Sequence, residues 1–142
     1  MLVDPQARIV WHHADDSVPQ VFRARASRDG SGIVYASTLI GGLPTEESAL
    51  VRVSWDGSTV ETLPVPFLAH DFVELPDGTL VSLVYETRDE ILGNKLVSVA
   101  ADGTTTDLWS TWDCYDPVTQ PGDDPAHGWT HANALDSRSE EH

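Results

Sequence analysis

Apolar and polar residues alternate along this chain in short runs broken by turn residues, the period-two signature of half-buried β-strands. Strands are predicted at 21–27, 33–40, 49–54 and 59–65, and again at 70–75, 79–86, 95–100 and 105–109. No stretch sustains a 3.6-residue period, so few helices are expected. Asp-Gly pairs separate several of the runs, and glycine accepts the positive φ that tight hairpins demand.

The turns also expose an internal repeat. The Asp-Gly turns beginning at Asp29 and Asp77 recur at an offset of 77 − 29 = 48 residues. Those at Asp56 and Asp102 recur at 102 − 56 = 46. Two turns therefore alternate at nearly one period. Four antiparallel strands per repeat of roughly 45 residues is the pattern of a β-propeller blade. The expected fold is all-β, one partial propeller domain spanning 1–142. Its blade-like repeats cover about 21–66 and 69–110, followed by a loop insert at 110–128 and the start of a next blade at 129–136. Residues 7–11 read as the last strand of a preceding blade, and 131–135 as the first strand of the following one.

Charge narrows the partners. Eight Lys and Arg stand against 23 Asp and Glu, a formal net charge of −15. Such a surface repels phosphate backbones and anionic lipid, so neither nucleic acid nor membrane is an expected partner. No apolar run is long enough to span a bilayer, and Met1-Leu2-Val3-Asp4-Pro5 opens without a secretion-signal pattern. The compartment stays undecided. One cysteine, Cys114, permits no internal disulfide and has no activating base nearby in sequence.

Candidate chemistry centres on two histidines. His70 and His131 each open a first strand of a repeat, and in a propeller such strands line the axial channel. Equivalent residues of adjacent blades then converge on one site. Alternation places Asn133 on the face of His131, where it orients the imidazole, reaches substrate or caps the strand. A plain structural role for either histidine, bonding a neighbouring carbonyl, is the competing reading.

The string His70-Asp71-Phe72-Val73-Glu74-Leu75-Pro76-Asp77-Gly78-Thr79-Leu80, with Trp129-Thr130-His131-Ala132-Asn133, resembles the bacterial arylsulfotransferase propeller family. The hairpin at 95–109, with its Asp-Gly turn and closing Trp109, is similar too. The resemblance covers about 69–136, close to half the chain. It implies a six-bladed propeller moving a sulfuryl group from an aryl sulfate donor to a phenol acceptor, without the nucleotide donor PAPS and without a cofactor. By motif, His70 and His131 match two sulfate-binding histidines. The family's arginine and nucleophilic histidine are expected further along than this chain reaches; Arg138 and His142 are too close to His131 to match. Two blades and a stub leave strand edges unpaired. The isolated chain is therefore expected to be marginal, to aggregate or to self-associate, with little catalysis of its own.

That chemistry makes physical sense for imidazole. Sulfuryl transfer builds negative charge on non-bridging oxygens and the leaving phenolate, which pre-aimed imidazolium donors stabilise. A side chain titrating near neutrality also exchanges protons with a phenol. Around the histidines, Trp129 and His127 are candidate substrate contacts, although a surface histidine fits His127 equally well. Trp109, Trp112 and Trp129 read as an aromatic wall or, more simply, as core. Asp113, Asp116, Asp123 and Asp124 lie in the proline-rich insert, which reads as a solvated acidic loop or a lid and matches no EF-hand spacing. His12-His13, with Asp15 and Asp16, looks like a metal cluster only superficially, since adjacent strand residues face opposite ways. No metal site is expected on the sulfuryl-transfer reading. Two other classes remain open: a metal-dependent propeller lactonase using Asp71, Asn133 and Asp136, and a non-catalytic binding module.

Overall fold

A computed structural model of the chain describes residues 1–14, 20–38, 45–115 and 130–137. Strands dominate it. A short hairpin pairs β1 (Leu2–Val3) with β2 (Ile9–Trp11). A first four-stranded sheet follows, made of β3 (Gln20–Ala26), β4 (Gly32–Thr38), β5 (Ala49–Ser54) and β6 (Val60–Pro64). The second contains β7 (Leu68–Glu74), β8 (Leu80–Arg88), β9 (Ile91–Val99) and β10 (Thr105–Ser110). Each is an antiparallel meander with its strands side by side in chain order, and neither sheet closes on itself. The chain is thus all-β. Its single described helix is one turn, α1 (Thr111–Cys114), whose N-terminus is capped by Ser110 Oγ accepting from Trp112 N. No described helix is long and apolar enough to cross a membrane.

The four Asp-Gly turns share one construction. Gly30, Gly57, Gly78 and Gly103 all lie at φ between 70° and 83°. In each, the aspartate side chain accepts the backbone N–H two residues on, at Ser31, Ser58, Thr79 and Thr104. Those bonds stabilise the ionised form. Asp29 and Asp56 are held at about 2, mainly by Ser31's backbone N–H and the Ser54 hydroxyl respectively. The sequence repeat is therefore a repeat of turn chemistry as well as of spacing.

The main core lies between the two sheets. Val34, Ala36 and Leu50 of the first meet Phe72, Leu80 and Val97 of the second, all 4% exposed or less. On the other face of the first sheet, Ile33, Tyr35, Val51 and Val53 pack with Trp11 from the hairpin. This two-sided burial explains β4, in which all seven residues are buried. The edge strand β7 lies against both β3 and β4.

Three details depart from the sequence expectations. Of residues 7–11 only Ile9–Trp11 form strand, because Ala7 (φ 61°) lies in the turn that begins at Asp4, whose carboxylate accepts the amides of Gln6 and Arg8. The hairpin of β8 and β9 runs further than expected, turning at Asp89 and Glu90, both at positive φ (49° and 65°). Without a glycine there, sequence gave no turn signal. Residues 131–135 form no strand; side chains, described next, hold them instead of a ladder.

Candidate functional site

His70 and Phe22 occupy matching places in the two sheets. Each is the third residue of a seven-residue first strand, and 70 − 22 = 48, the period of the turns. Each strand is irregular at that point. Phe22 falls between the Val21–Ser37 and Arg23–Ala36 pairs with no residue opposite. On β7, Ala69, His70 and Asp71 lie between the Leu68–Val84 and Phe72–Ser82 pairs, where β8 has only Leu83. A bulge breaks strict alternation and re-aims side chains, which is why such features recur beside functional sites.

The bulge delivers His70 into an aromatic corner. Its ring stacks on His131 with centroids 4.8 Å apart and planes 24° apart. Phe22 and Tyr85 meet it edge-on, at 6.0 and 6.1 Å. The Tyr85 hydroxyl lies 2.8 Å from His70 Nε2. Burial, and secondarily the proximity of His131, pushes the His70 pKa below the ordinary histidine value. Burial also raises that of Tyr85. One hydrogen bond joins the two: the phenol O–H donates when the imidazole proton sits on Nδ1, and the ring donates when it sits on Nε2.

Asp71, the next residue, is fully buried and turned to the opposite task. Oδ1 accepts from Arg23 Nε (3.1 Å), Arg25 (3.0 Å) and the amide of Phe72 (3.0 Å). Oδ2 accepts from Arg25 and from the backbone N–H of Leu135, both at 2.9 Å. Burial alone would raise its pKa, but the Leu135 amide, Arg25 and the Phe72 amide outweigh it, so the carboxylate stays ionised below its usual range. Both oxygens are thereby committed.

His131 sits in a segment anchored at two points. Asn94 of β9, wholly buried, accepts through Oδ1 from Thr130 Oγ1 (3.1 Å) and from Ala132 N (3.0 Å). Three residues beyond Ala132, Asp71 takes the Leu135 amide. Asn133 Nδ2 donates to the His131 carbonyl at 3.2 Å, so its amide braces its own segment. Sequence reasoning missed Asn94; its only signal was an amide amid the apolar positions of β9, and its partners lie 36 and 38 residues away.

The other candidates divide. His127 and Trp129 lie outside the described residues, as do Asp15, Asp16, Asp116, Asp123, Asp124, Arg138 and His142. Trp109 is on β10, at the sheet edge opposite β7, where its Nε1–H donates to Cys114 Sγ at 3.0 Å. Trp112 donates to the Glu86 carbonyl and stacks beneath Arg88. Neither forms a wall with His70. His13 packs near Trp11 and Tyr35. Among the described residues no three His, Cys, Asp or Glu side chains group as metal ligands, and Asp71 is held by arginines and amides.

In class, this is an all-β chain of two antiparallel meanders with a stacked imidazole pair beside a strand bulge. No protein-family model, curated protein or solved structure matches it.

Proposed function

We propose that this chain carries an oxyanion-binding part of a sulfuryl-transfer site, mounted on propeller-type blades. The observation that carries the reading is the His70–His131 stack, with Tyr85 on His70 Nε2. Two imidazoles this close resist double protonation, because like charges disfavour one another. A bound oxyanion reverses that balance: it stabilises both cationic rings and draws protons onto them. Sulfate esters and the charge developing as they transfer are ligands of that kind. Tyr85 is placed to return or accept a proton at His70 Nε2 as the ring charges.

The propeller reading has its own support. Each sheet has four strands in meander order, and the first strand of the second sheet lies against the first two strands of the other. Equivalent positions, Phe22 and His70, meet at that junction, and His131 stacks on His70 there. Neighbouring blades around an axis have this arrangement.

The test is binding of 4-nitrophenyl sulfate, with and without EDTA, by the parent chain and by His70→Ala and His131→Ala. The reading expects EDTA-indifferent binding that is weakened about tenfold or more in either variant, as loss of a charge-assisted hydrogen bond implies. Unaltered binding in both variants, or EDTA-sensitive binding, contradicts it.

A further inference from the structure

The segment carrying His131 joins no described ladder, and two buried acceptors hold its backbone N–H groups instead. Asn94 is an odd residue for its place. It is fully buried in β9, and its Nδ2 has no hydrogen-bond partner among the described residues. A buried, half-satisfied amide costs stability. What it supplies in return is one oxygen shared by Thr130 and Ala132, the residues on either side of His131. Its own backbone is fixed by Thr111, whose hydroxyl donates to the Asn94 carbonyl at 2.9 Å. Asp71 completes the arrangement. It borders His70 in the β7 bulge and holds the Leu135 amide, linking both imidazole-bearing segments to one carboxylate.

We propose that Asn94 and Asp71 are positioning residues that clamp the 130–135 segment and so hold His131 in register against His70. This rests on reading the imidazole pair as the anion site, but the clamp is tested without any anion. Among the described residues, the groups facing His70 are Tyr85 from β8, Phe22 from β3 and His131 from the clamped segment. Arg23 and Arg25 of β3 are engaged with Asp71. Releasing the clamp therefore changes one neighbour of His70 above all others. It removes the ring that stacks on it and the charge that opposes its protonation.

Two variants break the clamp at different atoms. Asn94→Leu removes the shared acceptor. Ala132→Pro removes the N–H that Asn94 accepts, and it also fixes φ at 132 and restricts the backbone of His131. The readout is the NMR titration of the His70 and His131 ring protons in the whole chain, with His131→Ala as the reference. In both clamp variants the His70 midpoint moves up to that of the His131→Ala reference, and the ring-current shifts of the stack disappear. Backbone amide shifts of β7 to β9 stay in place in Ala132→Pro. Should Asn94→Leu fail to fold, the double variant Thr130→Val with Ala132→Pro, which withdraws both donors to Asn94, decides. A His70 midpoint and ring-current shifts that match the parent in that double variant overturn the clamp. Loss of 4-nitrophenyl sulfate binding in the clamp variants with an unmoved His70 titration overturns it too. Absence of anion binding in the parent chain contradicts the functional reading and leaves this titration result standing by itself.

Discussion

His70 and His131 face each other as equals in the stack but are held in unequal ways. His70 belongs to β7, whose backbone pairs with β8 and whose neighbours Leu68 and Phe72 are buried in the inter-sheet core. His131 is exposed, and its segment's described anchors are the side chains of Asn94, Asp71 and Arg25, the last donating to the Leu135 carbonyl. One imidazole is fixed by a cooperative sheet, the other by a few hydrogen bonds. Elements held this way open locally at lower free energy than a ladder does. The site is accordingly a rigid half and an adjustable half, and mutations should separate the two.

The largest effect is expected in the rigid half. Phe72→Ala removes a fully buried ring from the core and should cost about 4 kcal/mol in urea unfolding. An effect below ~1 kcal/mol would mean the two sheets do not pack as described. Asp71→Ala acts on both halves. It strands Arg23, Arg25 and two amides, and should cost about 3 kcal/mol, the low end for a broken buried pair, since both arginines reach solvent. Amide exchange should show its effect extending to Leu135, whereas Phe72→Ala acts through global unfolding.

Acid should affect the site before it affects Asp71. The His70 pKa is lower in the folded chain than its ordinary value of 6.5. Between those two values the unfolded chain binds more protons, so stability falls as pH drops through that window and is unaffected above it. The Asp71 contribution is present above the ordinary carboxylate range and is lost only as pH falls through its depressed folded pKa. Denaturation followed against pH should show the first loss diminished in His70→Ala and the second retained. The smallest effect belongs to Asn133. Among the described residues its amide's hydrogen bond goes to the His131 carbonyl of its own segment, and it is exposed, so Asn133→Ala should stay within about 0.5 kcal/mol of the parent.

Sequence pattern revealed most of the sheet architecture for a physical reason. Alternation records which face of a strand is buried, and Asp-Gly records where φ must turn positive; both are local. Matched repeat positions were the reason for expecting His70 and His131 together; the rings do meet, but residues 131–135 form no strand and the position matching His70 is Phe22. What escaped was non-local or broke alternation. The bulge at 69–71 is a mismatch between two strands, so β7 alone does not show it. Asp71 reads as an ordinary strand acid until Arg23 and Arg25, 48 and 46 residues earlier, are seen to reach it. Residues 131–135 carry a strand-like pattern, but a pattern cannot say whether a ladder or two side chains will satisfy the backbone.

The central claim, that the imidazole pair binds an oxyanion, is tested most directly by its protons. Calorimetry of 4-nitrophenyl sulfate binding, in buffers of differing ionisation enthalpy at about pH 6 and about pH 8, reads proton uptake on binding. The account predicts uptake at the higher pH, binding that weakens as pH rises, and loss of the uptake in His70→Ala and His131→Ala. Binding with no proton uptake and no pH dependence would contradict it.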